Sequence, residues 1–257
     1  MTLQPLFSLR DISFGFMSRA VLQRINFDLY PGERVALIGA NGVGKTTLLH
    51  LMVGLYRPSS GSLLAYGEAR RTEKCFRGVR LRTGMLFQDP DDQLFCPTVL
   101  EDVAFGPLNQ GKTQQEALLI SEQTLGNLGL EGFAYRVTHK LSGGEKRLVS
   151  LATVLAMQPD VLLLDEPTTG LDEQTEWRLI EHLETLPMAM LFVSHDRRFI
   201  ERLANRAVLL REGQLFDAVL HAHPHTHSHP HLHAVDGLQP EHEHGDQPPE
   251  HVDHQHV

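Results

Sequence analysis

What the sequence lacks narrows it first. No apolar run approaches the roughly 20 residues needed to span a bilayer, and the first residues lack the layout of a secretory signal. Cysteine is scarce. Cys75 and Cys96 are the only two and show no metal-site spacing, which suits a reducing compartment and structural roles better than a disulfide framework. Nor is there an excess of base. The net charge is −9, but eight acidic residues and no Lys or Arg stand from Glu212 onward, so residues 1–211 hold 24 acids against 23 bases. A body so close to neutral, with no basic stripe, does not suit nucleic acid as the main partner. Long coiled-coil insertions and a second phosphate loop are also missing. At 257 residues, one domain with a subdomain is expected.

What is present is organised around Gly39-Ala40-Asn41-Gly42-Val43-Gly44-Lys45-Thr46-Thr47. An apolar run at 35–38 precedes it and another at 48–53 follows, so a buried strand, a glycine-rich turn and a helix are predicted. Gly39, Gly44, Lys45 and Thr46 fit G-x-x-x-x-G-K-[ST]. Such a loop curls backbone N–H groups closely around an anion, which a β-carbon would obstruct, and the helix points its positive end at the same place. Lys45 would meet the β- and γ-phosphates and the Thr46 hydroxyl would ligate Mg²⁺, with Asn41, Gly42, Val43 and Thr47 completing the cradle. The expected ligand is a nucleoside triphosphate.

Taken in order, 6–16 and 21–29 alternate imperfectly and read as antiparallel strands. Phe16 either lies against an adenine ring or is a half-buried strand aromatic. Residues 57–61 have turn chemistry before a short strand at 62–66, and the basic stretch 70–82 reads as solvated surface. A buried strand at 84–87 ends at Gln88. Residues 98–157 are mostly helical, interrupted at Pro107, Gly126, Gly129 and Gly132, which predicts an inserted helical subdomain over about 89–158. Leu141-Ser142-Gly143-Gly144-Glu145 leads into its last helix. Ser142 is a natural N-cap, and the open N–H groups of Gly143 and Gly144 make a second anion site. The run 161–164 reads as a strand covered on both faces, carrying Asp165 and Glu166 to the edge where ligands bind in open α/β sheets. Gly170-Leu171-Asp172 opens another helix, and a strand at 190–193 delivers His195 to the same edge.

The fold class is therefore α/β: a mostly parallel phosphate-loop-type sheet core with an antiparallel β subdomain and the inserted helices. Globular patterning stops near residue 220. In phosphoryl transfer to water, Asp165 would hold Mg²⁺ through a water and Glu166 would polarise the attacking water. His195 would donate to the γ-phosphate, and Gln88 would reach metal and water.

Together and in order, these residues resemble the ATP-binding-cassette (ABC) ATPase family over roughly 6–216. Gly39 to Thr46 is similar to its Walker A loop, Gln88 to its Q-loop and Leu141 to Glu145 to its signature motif. Asp165 and Glu166 end a run similar to Walker B, Asp172 closes a D-loop and His195 matches the switch histidine. The resemblance implies ATP hydrolysis with Mg²⁺ and a head-to-tail dimer with a copy or a homologue. In that dimer Ser142, Gly143 and Gly144 of one subunit cap the ATP of the other. Two positions depart from the family. Phe16 stands where Tyr is usual, and Glu145 stands where Gln is usual, with no role assigned to its side chain.

The stretches 87–95 and 99–107 resemble the energy-coupling-factor importers, and within them the ATPases of cobalt and nickel uptake. That implies transmembrane energy-coupling and metal-binding subunits, a place on the cytoplasmic face of the membrane, and a short helix at Asp91 to Phe95 beside the groove for a coupling helix. The competing readings are a vitamin importer of the same architecture and a non-transport ABC protein with a metal-sensing tail.

The tail itself repeats histidine at every second position: His221, His223, His225, His227, His229, His231 and His233. Pro224 and Pro230 exclude a helix, so an extended or disordered arm over 221–257 is expected. Neutral imidazoles suit Ni²⁺ or Co²⁺, and equally Cu²⁺ or Zn²⁺. The alternative is a solvated, pH-buffering appendage.

Overall fold

The structure, a computed structural model, describes residues 3–17 and 19–218, and the histidine-rich arm lies outside the described residues. The chain begins with a long hairpin of β1 (Phe7–Phe16) and β2 (Arg19–Leu29), with Phe7 opposite Leu29 and Phe16 opposite Arg19. Next come β3 (Arg34–Ile38), α1 (Lys45–Met52), β4 (Ser60–Ala65), β5 (Glu68–Ala69), α2 (Glu73–Arg80) and β6 (Thr83–Leu86). A helical block follows, formed by α3 (Val99–Asn109), α4 (Gln114–Asn127) and α5 (Gly143–Leu155). The chain then returns through β7 (Val161–Asp165), α6 (Glu173–Thr185), β8 (Ala189–Val193), α7 (Arg197–Leu203), β9 (Arg206–Arg211) and β10 (Gln214–Ala218).

Two sheets result, an antiparallel one of order β2-β1-β4-β5 and a larger one of order β10-β9-β3-β8-β7-β6. Every pairing in the larger sheet is parallel except that of β10 with β9. Its central strands β7 and β8 are buried at all positions, as unbroken apolar runs covered on both faces must be. One face packs with α1 against the antiparallel sheet, through Phe7, Leu9, Ile25, Leu49 and Leu191. The other face, through Leu162, Phe192 and Leu164, meets α6 and α7 at Leu183 and Phe199. The helical block has its own core of Val99, Val103, Leu125, Val149 and Ala152. Full burial of one Val, Leu or Phe side chain in these cores stabilises the fold by roughly 1.5–3 kcal/mol. Because β3, β6, β7 and β8 run parallel, the loops after all four open on one edge of the sheet.

Local structure departs from the sequence reading, or adds to it, in four places. The stretch at 70–82 holds a helix, α2, capped by the Thr72 side chain, which accepts from the Cys75 N–H, and fixed by buried Phe76 and Val79. Those two apolar residues one turn apart suffice to dock a helix that is otherwise basic. Strand β4 starts at Ser60 instead of 62, because Ser60 already pairs with Ser13. Pro107 does not break α3. It sits in the last turn, and the helix ends two residues later at Asn109. The short helix expected at Asp91 to Phe95 is a 3-10 turn at Pro90–Asp92. The N–H groups of Phe95 and Cys96 go instead to the buried Asp102 carboxylate at 3.0 and 2.9 Å, which pulls the chain out of helical register.

Candidate active site

The glycine loop between β3 and α1 has no room for side chains at two positions. Gly39 has φ +155, and a β-carbon there would lie 2.4 Å from the Leu210 carbonyl oxygen of β9. Gly44 has φ +113, and a β-carbon would lie 2.8 Å from Val21 Cγ1 of β2. Helix α1 starts at once with Lys45 and has no side-chain cap. Each of the other six α-helices among the described residues has one, from Thr72, Thr98, Thr113, Ser142, Asp172 or Asp196. The N–H groups at the start of α1 are thus left for an outside acceptor, and the helix dipole favours an anion. The Lys45 ammonium folds back over the loop and donates to the Gly39 and Ala40 carbonyls at 2.7 and 3.1 Å. Burial pushes its pKa down, while Glu166 and Asp165 pull it up.

Asp165 ends β7 at 1% exposure, and its Oδ2 has no hydrogen-bond partner among the described residues. Burial pushes its pKa up, against the Thr46 hydroxyl and the charges of His50, Lys45 and Arg147. A buried, unpartnered carboxylate oxygen beside a threonine hydroxyl is a hard-oxygen donor set, which fits Mg²⁺. Glu166 follows with φ +50, unusual for a residue with a side chain, and its N–H donates to the Val193 carbonyl at 3.0 Å. Its Oε1 lies 3.3 Å from Nε2 of His195, which β8 brings alongside.

A cleft of 830 Å³ joins these parts. Asn41, Gly42, Gly44, Lys45, Thr46 and Thr47 line it from the loop, and Gln88, Asp165, Glu166 and His195 line it from the strand ends. Phe16 stands at its rim, 47% exposed, with its ring in edge contact with Phe14 and Tyr56 at 5.0 and 5.4 Å. Gly39 and Val43 shape the loop without lining the cleft. Ser142, Gly143, Gly144 and Asp172 do not line it either. Asp172 caps α6, accepting from the Thr175 N–H and hydroxyl. A separate cavity of 580 Å³, lined by Arg82, Asp160 and His182 among others, contains none of the motif residues.

At the start of α5, Ser142 Oγ accepts from the Glu145 N–H, and Glu145 Oε2 accepts from the Ser142 N–H at 2.7 Å. Glu145 Oε1 also pairs with Arg136 at 2.8 Å, and these partners hold its carboxyl below the usual range. The side chain left without a role in the sequence reading closes a capping box, for which S-x-x-E was the available signal. Two other residues were missed. His50, on α1, sits between the Tyr56 and Phe87 rings with its pKa lowered by burial. Arg147, 3% exposed, donates to the Phe87 and Gln88 carbonyls. A lone arginine or histidine in the sequence gives no signal of either placement.

Against known proteins, the ABC transporter family profile matches residues 22–169, which include the glycine loop, Ser142–Gly144 and the Asp165-Glu166 pair. An ABC transporter ATP-binding protein of Brucella suis is 54% identical over 91% of this chain and 98% of its own length. The energy-coupling factor transporter ATP-binding protein EcfA of Methanothermobacter thermautotrophicus is 41% identical over 80% of this chain and 68% of its own length. Among solved structures, cbiO1 of Clostridium perfringens, part of the ABC transporter complex cbiONQ, is 32% identical with a TM-score of 0.73, covering 82% of this chain and 87% of that one. The uncapped helix, the buried carboxylate and the order of the motifs agree with that match, and the chain belongs to the ABC transporter family as an ATP-binding subunit with ATPase activity.

Proposed function

We propose that this chain is the ATPase of an energy-coupling-factor-type importer for a transition-metal ion, nickel or cobalt. It works as a head-to-tail dimer with a copy or a homologue, on the cytoplasmic side of transmembrane energy-coupling and metal-binding subunits. The observation that carries the ATPase mechanism is the uncapped start of α1 lining the same cleft as Asp165, whose Oδ2 has no partner among the described residues. Lys45 and the loop N–H groups hold the β- and γ-phosphates, and Phe16 stacks on the adenine. Thr46 and Asp165 would hold Mg²⁺ with Gln88 beside them, and the ion would supply positive charge to neutralise the phosphate oxygens. Glu166 takes the proton from water as the water oxygen bonds to the γ-phosphorus and the bond to the bridging oxygen breaks, releasing ADP. His195 keeps Glu166 in place and donates to the γ-phosphate. Ser142, Gly143 and Gly144 lie off the cleft of their own chain, so they are free to cap the ATP of a second subunit, beside its Asp172.

Support for import comes from the energy-coupling factor and cbiO1 relatives. It comes also from Phe95 and Phe105, which are 65% and 46% exposed and stacked edge-on at 4.8 Å where a membrane partner's coupling helix would dock. The metal assignment rests on the alternating histidines from His221 to His233. By the Irving–Williams trend they hold Cu²⁺ at least as well as Ni²⁺, so they favour a transition metal without naming it. The test is uptake of ⁶³Ni²⁺ and ⁵⁷Co²⁺ by cells expressing this chain with the membrane proteins that co-purify with it. ATP-dependent uptake of either ion is expected. Uptake of a vitamin and of neither ion would overturn the substrate class.

A further inference from the structure

We propose that Arg147 is a positioning residue for Gln88, tying the helix that begins with Ser142–Gly144 to the loop that enters the nucleotide cleft. The inference rests on the proposed part of Gln88 in hydrolysis. Arg147 lies in the second turn's approach of α5, four residues after Gly143, and is buried to 3% exposure. One terminal guanidinium nitrogen donates to the Phe87 carbonyl at 2.6 Å and the other to the Gln88 carbonyl. Its Nε has no partner among the described residues, so these two bonds are its principal anchorage. Burial lowers its pKa, and the carboxylates of Asp89, Asp165 and Glu166 pull it back up.

Holding two consecutive carbonyls in a planar fork fixes the backbone from which the Gln88 side chain departs, and only arginine presents two parallel donors of that kind. Gln88 lines both the 830 Å³ cleft and an adjoining recess of 460 Å³ that includes Thr46, His50 and Asp92. Two more links run between the same segments. Gln93 accepts from the Phe87 N–H at 3.2 Å and donates to the Ser150 carbonyl and the Thr153 hydroxyl, both at 2.7 Å. Lys146 pairs with Asp91 at 2.5 Å. Both of these hold the loop, but of the three links only Arg147 grips Gln88. A shift of Gln88 when nucleotide and metal bind is therefore passed to α5, whose first residues are the part offered to a second subunit.

The test compares Arg147→Lys, Gln88→Ala and the double variant. Arg147→Lys keeps the charge and loses the fork. It is expected to bind ATP within about twofold of wild type and to lower kcat about 10- to 100-fold, the range a displaced catalytic group produces. The Mg²⁺ concentration for half-maximal rate should rise with it. Because Arg147 acts through Gln88, the double variant should be no slower than Gln88→Ala alone. Wild-type kcat in Arg147→Lys, or losses that multiply in the double variant, would overturn the proposal. If Arg147→Lys does not fold, Arg147→Gln, which keeps a donor without a buried charge, takes its place in the same cycle. Hydrogen exchange separates the tether from the reading beneath it. The amides at 87–89 should exchange faster in the Arg147 variant, nucleotide or not, and unchanged exchange there would refute the tether. Wild-type turnover in Gln88→Ala would instead refute the role of Gln88.

Discussion

Two glycines of the phosphate loop allow the packing of that loop to be measured apart from its backbone strain. Gly42 and Gly44 both have positive φ, +72 and +113, but a β-carbon on Gly42 meets nothing within 4 Å among the described residues. On Gly44 it would lie 2.8 Å from Val21 Cγ1 and 3.2 Å from Leu22 Cδ2. Gly42→Ala therefore bears only the left-handed conformation, about 1–2 kcal/mol, less about 0.4–1 kcal/mol regained because alanine restricts the unfolded chain. Gly44→Ala bears the same and adds overpacking against β2, about 1–3 kcal/mol. For a domain of this size the difference corresponds to a Tm lower by about 2–12 °C in Gly44→Ala than in Gly42→Ala. Thermal unfolding followed by circular dichroism reads the difference directly. Gly44→Ala should also lose more affinity for a fluorescent ATP analogue without Mg²⁺, because the clash displaces the first turn of α1. Equal midpoints for the two variants, or a lower one for Gly42→Ala, would refute the claim that β2 braces the loop.

Other predictions follow from the same contacts. Glu166→Gln should keep ATP affinity and lower kcat by about 10²- to 10⁴-fold, the usual worth of a positioned base, measured by phosphate release under saturating MgATP. Turnover near wild type would remove Glu166 from its role. Glu176 is raised from the ordinary 4.5 to about 7, first by sharing a hydrogen bond with Asp196 and then by burial. A carboxyl that holds its proton more tightly when folded contributes stability below pH 4.5 that is lost as pH rises through about 7. Glu176→Gln should flatten that part of the Tm-against-pH curve, and an unchanged slope would contradict the shared proton. Deleting residues after 220 should leave ATPase activity intact and lower the Ni²⁺ bound at equilibrium dialysis, and unchanged metal binding would sink the chelating role of the arm.

Much of the site was legible in the sequence, because the parts that carry chemistry are local. The apolar runs ending in Asp165 and at Val193 could only be covered parallel strands, and their ends had to deliver Asp165, Glu166 and His195 to one edge. Ser142 was readable as a cap because a cap is a relation within four residues. Helix α2 was hidden because only Phe76 and Val79 anchor it, and basic residues around them dominate the composition. The end of the 3-10 turn was hidden because it depends on Asp102, a carboxylate from the next helix taking two N–H groups. The grip of Arg147 on Phe87 spans 60 positions in the chain and rests on burial, which no local pattern encodes.

The central claim is that one chain holds half of two ATP sites and that a second subunit completes each. Gly143 allows a direct test, because among the described residues a β-carbon there meets nothing within 4 Å. Sedimentation velocity of Glu166→Gln with MgATP should show a dimer that returns to monomer when ATP is withdrawn. Adding Gly143→Asp, which sets a negative charge where the second subunit's γ-phosphate would lie, should leave ATP binding intact and the protein monomeric. A dimer that persists with Gly143→Asp, or a Glu166→Gln protein that stays monomeric at saturating MgATP, would contradict the composite site.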